Sequence, residues 1–393
     1  MRKSVLVGLS ALAIVGLVSF TTPATAQGVT STPLDVTCGP AFFPTYCVVD
    51  MSGDGNTILF QDRIWTASGG FQTIGGPPEG FVTTALSDDG STVVGDVFLT
   101  EGPLGPRFEA AVWLGGDQWR PLGGLPGASP CGSNFTSAFD VSGDGSKVAG
   151  LAWVGLPCRD AHAFAWTEET GMVDLGAIVE GRASRVNAVS ADGEVLAGWS
   201  DSSFGERRAA SWDHVAPPAW LVPDGSPIFA GEATGINSDG SVMVGGAYEE
   251  LAPPSGKRPR IYEPWIWRAE TGVVPLGTVK GLRGDIIDGQ HYARDVSDDG
   301  GVVVGQDTLY NLGEQWAFVW TAQDGINPLQ DYVRARTDPA TKAKICSAQR
   351  SPLRPCQNWD FWNTAAVSND GKTIVGTGRN PAGLWEAFKI TLP

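Results

Sequence analysis

The chain has 393 residues, including 52 Gly, 27 Pro and 15 Trp, and only 18% are charged. Glycine well above its usual ~7%, with few straight-chain helix formers, excludes a mainly helical protein. Hydrophobic residues at 42% exclude wholesale disorder, and a net charge of −16 excludes sequence-independent nucleic-acid binding, which needs Lys and Arg against phosphates.

Residues 1–26 read as a signal peptide. Arg2 and Lys3 form a basic start, Val5 to Phe20 is an apolar run, and Ala24-Thr25-Ala26 fits cleavage before Gln27. The run is short for a membrane span. The expectation is a secreted or periplasmic protein with no membrane insertion, whose remainder, 27–393, is one domain.

One phrase then recurs seven times along the chain. Its turns fall at Asp54-Gly55, Asp89-Gly90, Asp144-Gly145, Asp192-Gly193, Asp239-Gly240, Asp299-Gly300 and Asp370-Gly371. A Ser stands two residues before the Asp, except at Asn237, and an apolar stretch follows that usually closes on Gly, as in Val93-Val94-Gly95. Asp-Gly suits a tight two-residue hairpin turn, and β-branched residues suit the strands beside it. A second phrase ends in Trp65, Trp113, Trp166, Trp212, Trp267 and Trp320, with Ile390 in the seventh copy. Turns such as Glu169-Thr170-Gly171 lead to a fourth strand ending in Leu-Gly. Four short strands in each of seven units predict an all-β, seven-bladed β-propeller of four-stranded antiparallel blades. The seventh unit lacks a fourth strand, and the spare segment Thr32 to Val36 is expected to supply it and close the ring.

The Ser-x-Asp-Gly hairpins, with His162-Ala163-Phe164, resemble the HAF family of bacterial extracellular repeat proteins over residues 49 to 391. That resemblance implies export and a propeller-like fold. It implies no agreed reaction and supplies no catalytic residues.

Strand reversal puts the Asp-Gly and Thr-Gly turns on one face of the ring and the variable connections on the other. Variable loops on a rigid scaffold are where ligands usually bind. Cys131 and Cys158 flank one hairpin nearly symmetrically and are expected to pair on the connection face; Cys38 with Cys47 and Cys346 with Cys356 are the simplest remaining pairs. The largest insertion, at about 330–363, carries Arg334, Arg336, Lys342, Lys344, Arg350 and Arg354, then Trp359 and Trp362. Read functionally, it is a contact site for an anionic partner or a polysaccharide; read plainly, it is a pinned excursion packed on neighbouring blades. Lys257-Arg258-Pro259-Arg260 forms a smaller basic loop on the same face.

The repeated Asp residues serve as turn formers, because calcium needs six to eight oxygens converging on one point. No convergent Cys, Ser or carboxylate motif accompanies the histidines, so no catalytic residue, metal ligand or cofactor site is assigned. Two functions follow. One is a binding or structural scaffold contacting an extracellular or cell-surface ligand, a glycan or a protein, through the connection face. Its candidate contacts are Arg185, His291, Arg334, Arg336, Trp359 and Trp362. The alternative is a polysaccharide hydrolase or lyase with acids converging in the channel, for which Glu180, Arg182, Arg185, Asp285, Asp288 and His291 are the positions to inspect.

Overall fold

A computed structural model describes residues 30–37, 47–102, 104–155, 160–213, 217–222, 228–250, 260–279, 289–309, 314–348 and 357–392. Seven four-stranded antiparallel blades form a propeller, as the repeats predict. The first strand of each blade is innermost: Val48–Met51, Phe81–Leu86, Thr136–Val141, Ser184–Val189, Ile228–Ile236, Gly289–Val296 and Asp360–Val367 open blades 1 to 7. Blades 5 and 6 touch through one parallel bridge, Tyr262 to Gln290.

Closure follows the sequence expectation. Strand Thr30–Thr37 pairs antiparallel with Trp385–Thr391 as the outer strand of blade 7. Leu34 is buried with Val48, Ile58 and Val375 between blades 7 and 1. Seven apolar clusters lie one at each interface between neighbouring blades. Trp166 and Trp212 are buried in two of them, in keeping with a packing role for the repeated tryptophans.

The repeated turn is longer than the two-residue form that Asp-Gly suggests. Ser52 N–H donates to Thr57 O at 2.9 Å, so four residues, 53–56, make the loop, with Gly55 at φ +72°. Ser52 Oγ donates to Asp54 Oδ1 at 2.7 Å and accepts from Thr57 N–H at 2.9 Å; Asp54 Oδ1 also accepts from Asn56 N–H. The same bonds recur around Asp89, Asp144, Asp192, Asp299 and Asp370. The Asp side chains therefore build turns, and the bond from Asn56 N–H holds the Asp54 carboxyl below its ordinary range.

Each inner strand also bulges at the same point. The seven bulged residues are Val49, Thr84, Phe139, Asn187, Thr234, Arg294 and Ala365. The bulge presses an inner-strand carbonyl against the second strand: a Cβ at Gly150 would stand 2.0 Å from Ser137 O, and at Gly198 2.0 Å from Arg185 O. This is why the second strand closes on glycine.

One sequence reading needs correction. No disulfide joins two described residues. Cys47, Cys131 and Cys346 are disulfide-bonded to partners outside the described residues, where Cys38, Cys158 and Cys356 lie, so the spacing-based pairs are not established. The signal segment also lies outside the described residues, and export gains no support from the fold. Among the described residues no helix is long and apolar enough to cross a membrane. The insertion is partly helical, with α1 (Leu329–Arg336) and α2 (Pro339–Lys342). Leu329 and Val333 of α1 pack into the core between blades 6 and 7, with Ile345 and Trp359.

Candidate functional site: a channel closed at one end

The bulges decide what faces the ring axis. All seven bulged residues line a central channel of about 420 Å³. The residue after each bulge alternates around most of the ring: Asp50, Ala85, Asp140, Ala188, Gly235, Asp295, Ala366. Each of the three Asp clamps the next blade. Asp50 accepts from Met51 N–H and, in blade 2, from Leu86 N–H, both at 2.8 Å. Asp140 accepts from Val141 and Val189 N–H, and Asp295 from Val296 and Val367 N–H. The small Ala in the next blade, Ala85, Ala188 or Ala366, leaves room for the carboxyl group. Burial outweighs these bonds and pushes Asp50 and Asp295 up to about 7, and Asp140 well above its ordinary value, with Asp88 adding like-charge repulsion.

The hairpin face closes the channel. A ring of hydrogen bonds runs through the turn residues: Gly53 N–H to Asp88 O, Asp89 N–H to Gly143 O, Gly143 N–H to Ala191 O, and Ala191 N–H to Ser238 O. It continues from Ser238 N–H to Asp298 Oδ1, Asp298 N–H to Asn369 O, and Asn369 N–H back to Gly53 O. Side chains then cross the bore. Asn369 Nδ2 of blade 7 donates to Ser238 Oγ of blade 5 at 3.0 Å, and the Asn369 side chain also bonds Asp88 of blade 2. A Cβ at Gly53 would stand 2.6 Å from Asn369 Nδ2, so this floor is tightly packed.

At the connection-face end, blades 3 to 5 gather charge and aromatic rings. Arg185 pairs with Glu232 at 2.6 Å, bonds Asn187 Oδ1, and lies 4.4 Å from the Phe139 ring centroid. Glu232 also pairs with Arg207, which stacks on Trp199 at 4.0 Å and is 46% exposed. Asn187 Nδ2 donates to Glu232 Oε2. Just outside, Arg182 donates to the carbonyl of Ser203, in a turn that displays Phe204 at 86% exposure.

The sequence candidates scatter. Arg185 lies at the mouth as expected. His291 does not: it is fully buried beside Asp307, 2.7 Å away, and cannot meet a ligand in this conformation. Trp359 is 8% exposed and belongs to the core. Arg334 donates to the Lys342 and Ile345 carbonyls, tying the insertion together. Arg336 pairs with Asp324 and covers Tyr332, while Trp362 packs edge-on against Trp385 beneath Arg379. These four support the insertion and its neighbouring blades. Glu180 is exposed, and Asp285, Asp288, Lys257, Arg258, Pro259, Arg350 and Arg354 lie outside the described residues. Sequence reasoning missed Phe139, Asn187, Arg207, Glu232 and Asn369. For Phe139 and Asn187 the signal was the variable residue directly before the Asp/Ala/Gly position, which marks the bulge.

No protein-family profile matches the chain. No curated protein matches it. Among solved structures it is similar to an oligogalacturonate lyase from Vibrio parahaemolyticus, with 11% identity over 93% of each chain and a TM-score of 0.49. It is also similar to the β-propeller domain of the Trilobed protease from Pyrococcus furiosus, at 11% identity over 88% of this chain and 93% of that one, TM-score 0.48. TolB from Acinetobacter baumannii shows 14% identity over 70% of this chain, which spans 60% of TolB, with a TM-score of 0.40.

Proposed function

We propose that the chain is a binding module that takes its ligand at the connection-face mouth of the channel. The observation that carries this reading is that the acids around the bore are already committed. Asp50, Asp140 and Asp295 each hold two backbone N–H groups, one in the next blade. Glu232 is held by Arg185, Arg207 and Asn187. A glycosidase or lyase needs a carboxyl group placed to exchange a proton with its substrate. Carboxylates that fasten blades together are poor candidates for that work, which favours binding over the channel hydrolase or lyase.

Beyond its bonds to Glu232 and Asn187, Arg185 keeps guanidinium donors at the mouth beside the Phe139 ring, a pairing suited to a polar ligand with ring faces. The repeated hairpins support keeping the chain with the HAF repeat proteins. A glycan array read for binding, followed by product analysis on the same glycans, tests the reading. Binding without turnover is expected. Turnover lost in Glu232→Gln with the melting temperature unchanged would replace it with catalysis.

A further inference from the structure

We infer that the channel reads its ligand from the end, holding the uncharged terminal unit of a glycan chain. This rests on the binding reading above and adds to it the ligand class and the mode of entry.

The first argument is geometric. The floor is crossed by Asn369, bonded to Ser238 and Asp88, and is ringed by seven turn-to-turn hydrogen bonds. A chain therefore cannot thread the bore. The mouth, in contrast, meets solvent: Arg207 is 46% exposed and Val82, from the same end of the blade 2 inner strand, is 39% exposed. A volume of about 420 Å³ lies at the small end of the ~300–1,000 Å³ usual for small-ligand sites, enough for a terminal unit and not for a run of chain.

The second argument is chemical. Thr84 and Thr234 line the well, and because their O–H groups donate to the Val94 and Ala293 carbonyls, their hydroxyl oxygens face it as acceptors suited to sugar hydroxyls. Arg185 in the lining is already paired with Glu232, which leaves it no counter-charge to spare and disfavours an acidic terminal unit.

The third argument comes from the lip. The turn around Phe204 is made by Gly205 N–H to Ser202 O at 2.9 Å and by Ser202 Oγ accepting from Phe204 and Glu206 N–H. None of these bonds uses the phenyl ring, which stands in solvent on a turn that Arg182 ties to the segment entering blade 4. As an exposed ring on the connection face, it is free to stack on the units that follow the terminal one.

The test uses the full chain and an array of neutral linear oligosaccharides, each immobilised in separate spots by its reducing or its non-reducing end. The glycan bound best is then titrated in solution in linear and end-to-end cyclised forms. Binding in one orientation only, with the cyclised form weaker by at least about tenfold, is the expected result. Phe204→Ala should weaken the linear form several-fold without moving the melting temperature. Equal binding in both orientations and to the cyclised form overturns end recognition while leaving the binding function standing. Binding to no neutral glycan overturns the ligand class. In that case a protein ligand becomes the remaining occupant of the mouth.

Discussion

Asn369 of blade 7 and Ser238 of blade 5 are 131 residues apart in the chain and 3.0 Å apart in space, joined by an Nδ2–H to Oγ hydrogen bond across the channel. Asn369 thus turns a ring of separate hairpins into a floor. Asn369→Ala removes this bond and the bond to Asp88. With partners left in a packed site, a loss of about 1–3 kcal/mol is expected, read as a lower midpoint in denaturant unfolding. An unchanged midpoint would mean that the floor is not held this way.

The N-terminal strand makes a second prediction. Removing residues through Thr37 strips the edge of Trp385–Thr391 and takes Leu34 from the core between blades 7 and 1. The melting temperature should fall sharply and self-association should rise, because an open edge strand is a template for pairing. Calorimetry and light scattering on the shortened chain check both effects.

Stability should also depend on pH in a defined direction. Asp50 and Asp295 have folded values of about 7, raised first by burial, so their contribution is complete below the ordinary carboxylate range near 4 and is lost as pH rises through 7. Asp140 acts in the same sense. The turn acids act in the opposite sense. Asp144, lowered first by the Ser146 side chain, contributes above its unfolded value and loses that contribution as pH falls below about 4. The groups around the channel acids, Asp88, Arg185 and Arg294, do not reverse the order, since Asp88 is itself raised. The melting temperature should therefore peak at about pH 4 and fall by pH 8. Asp50→Asn removes one ionisation and should flatten that fall, whatever its effect at pH 5. A melting temperature that climbs from pH 5 to 8 would contradict the assignment.

A fourth prediction concerns the turns. Gly145 has φ +74°, and an added Cβ would stand 2.1 Å from Thr92 Oγ1 in the neighbouring blade. Gly145→Ala should destabilise by about 1–3 kcal/mol through backbone strain and that contact. Gly171→Ala, at φ +64° with open space around it, should cost less because only the strain remains. Chemical denaturation of the pair separates the two causes.

Much of the fold was legible because a repeated local need leaves a repeated residue. Asp and Ser build the turn, and Gly permits its left-handed step. The spare segment before Val36 was legible as the missing strand because the seventh unit ended one strand short. The site was less legible. His291 does stand at the connection-face end of its strand, but its ring turns inward against Asp307, a direction that position in the chain alone does not give. The helices at Leu329–Arg336 and Pro339–Lys342 broke no repeat and left only a basic composition to read. Asn369 looked like one variable turn residue among seven; its reach to blades 2 and 5 comes from ring closure, which no local pattern encodes.

The most direct measurement compares ligand affinity in two single variants on opposite faces. Arg185→Ala alters the connection-face mouth, whereas Lys372→Ala alters an exposed hairpin-face side chain whose carboxylate contact, to Asp370, is 3.7 Å long. Titrated with the best array glycan, Arg185→Ala should bind at least about tenfold more weakly, with Lys372→Ala matching the parent chain. Affinity lost in Lys372→Ala and kept in Arg185→Ala would place the ligand on the wrong face and contradict the account.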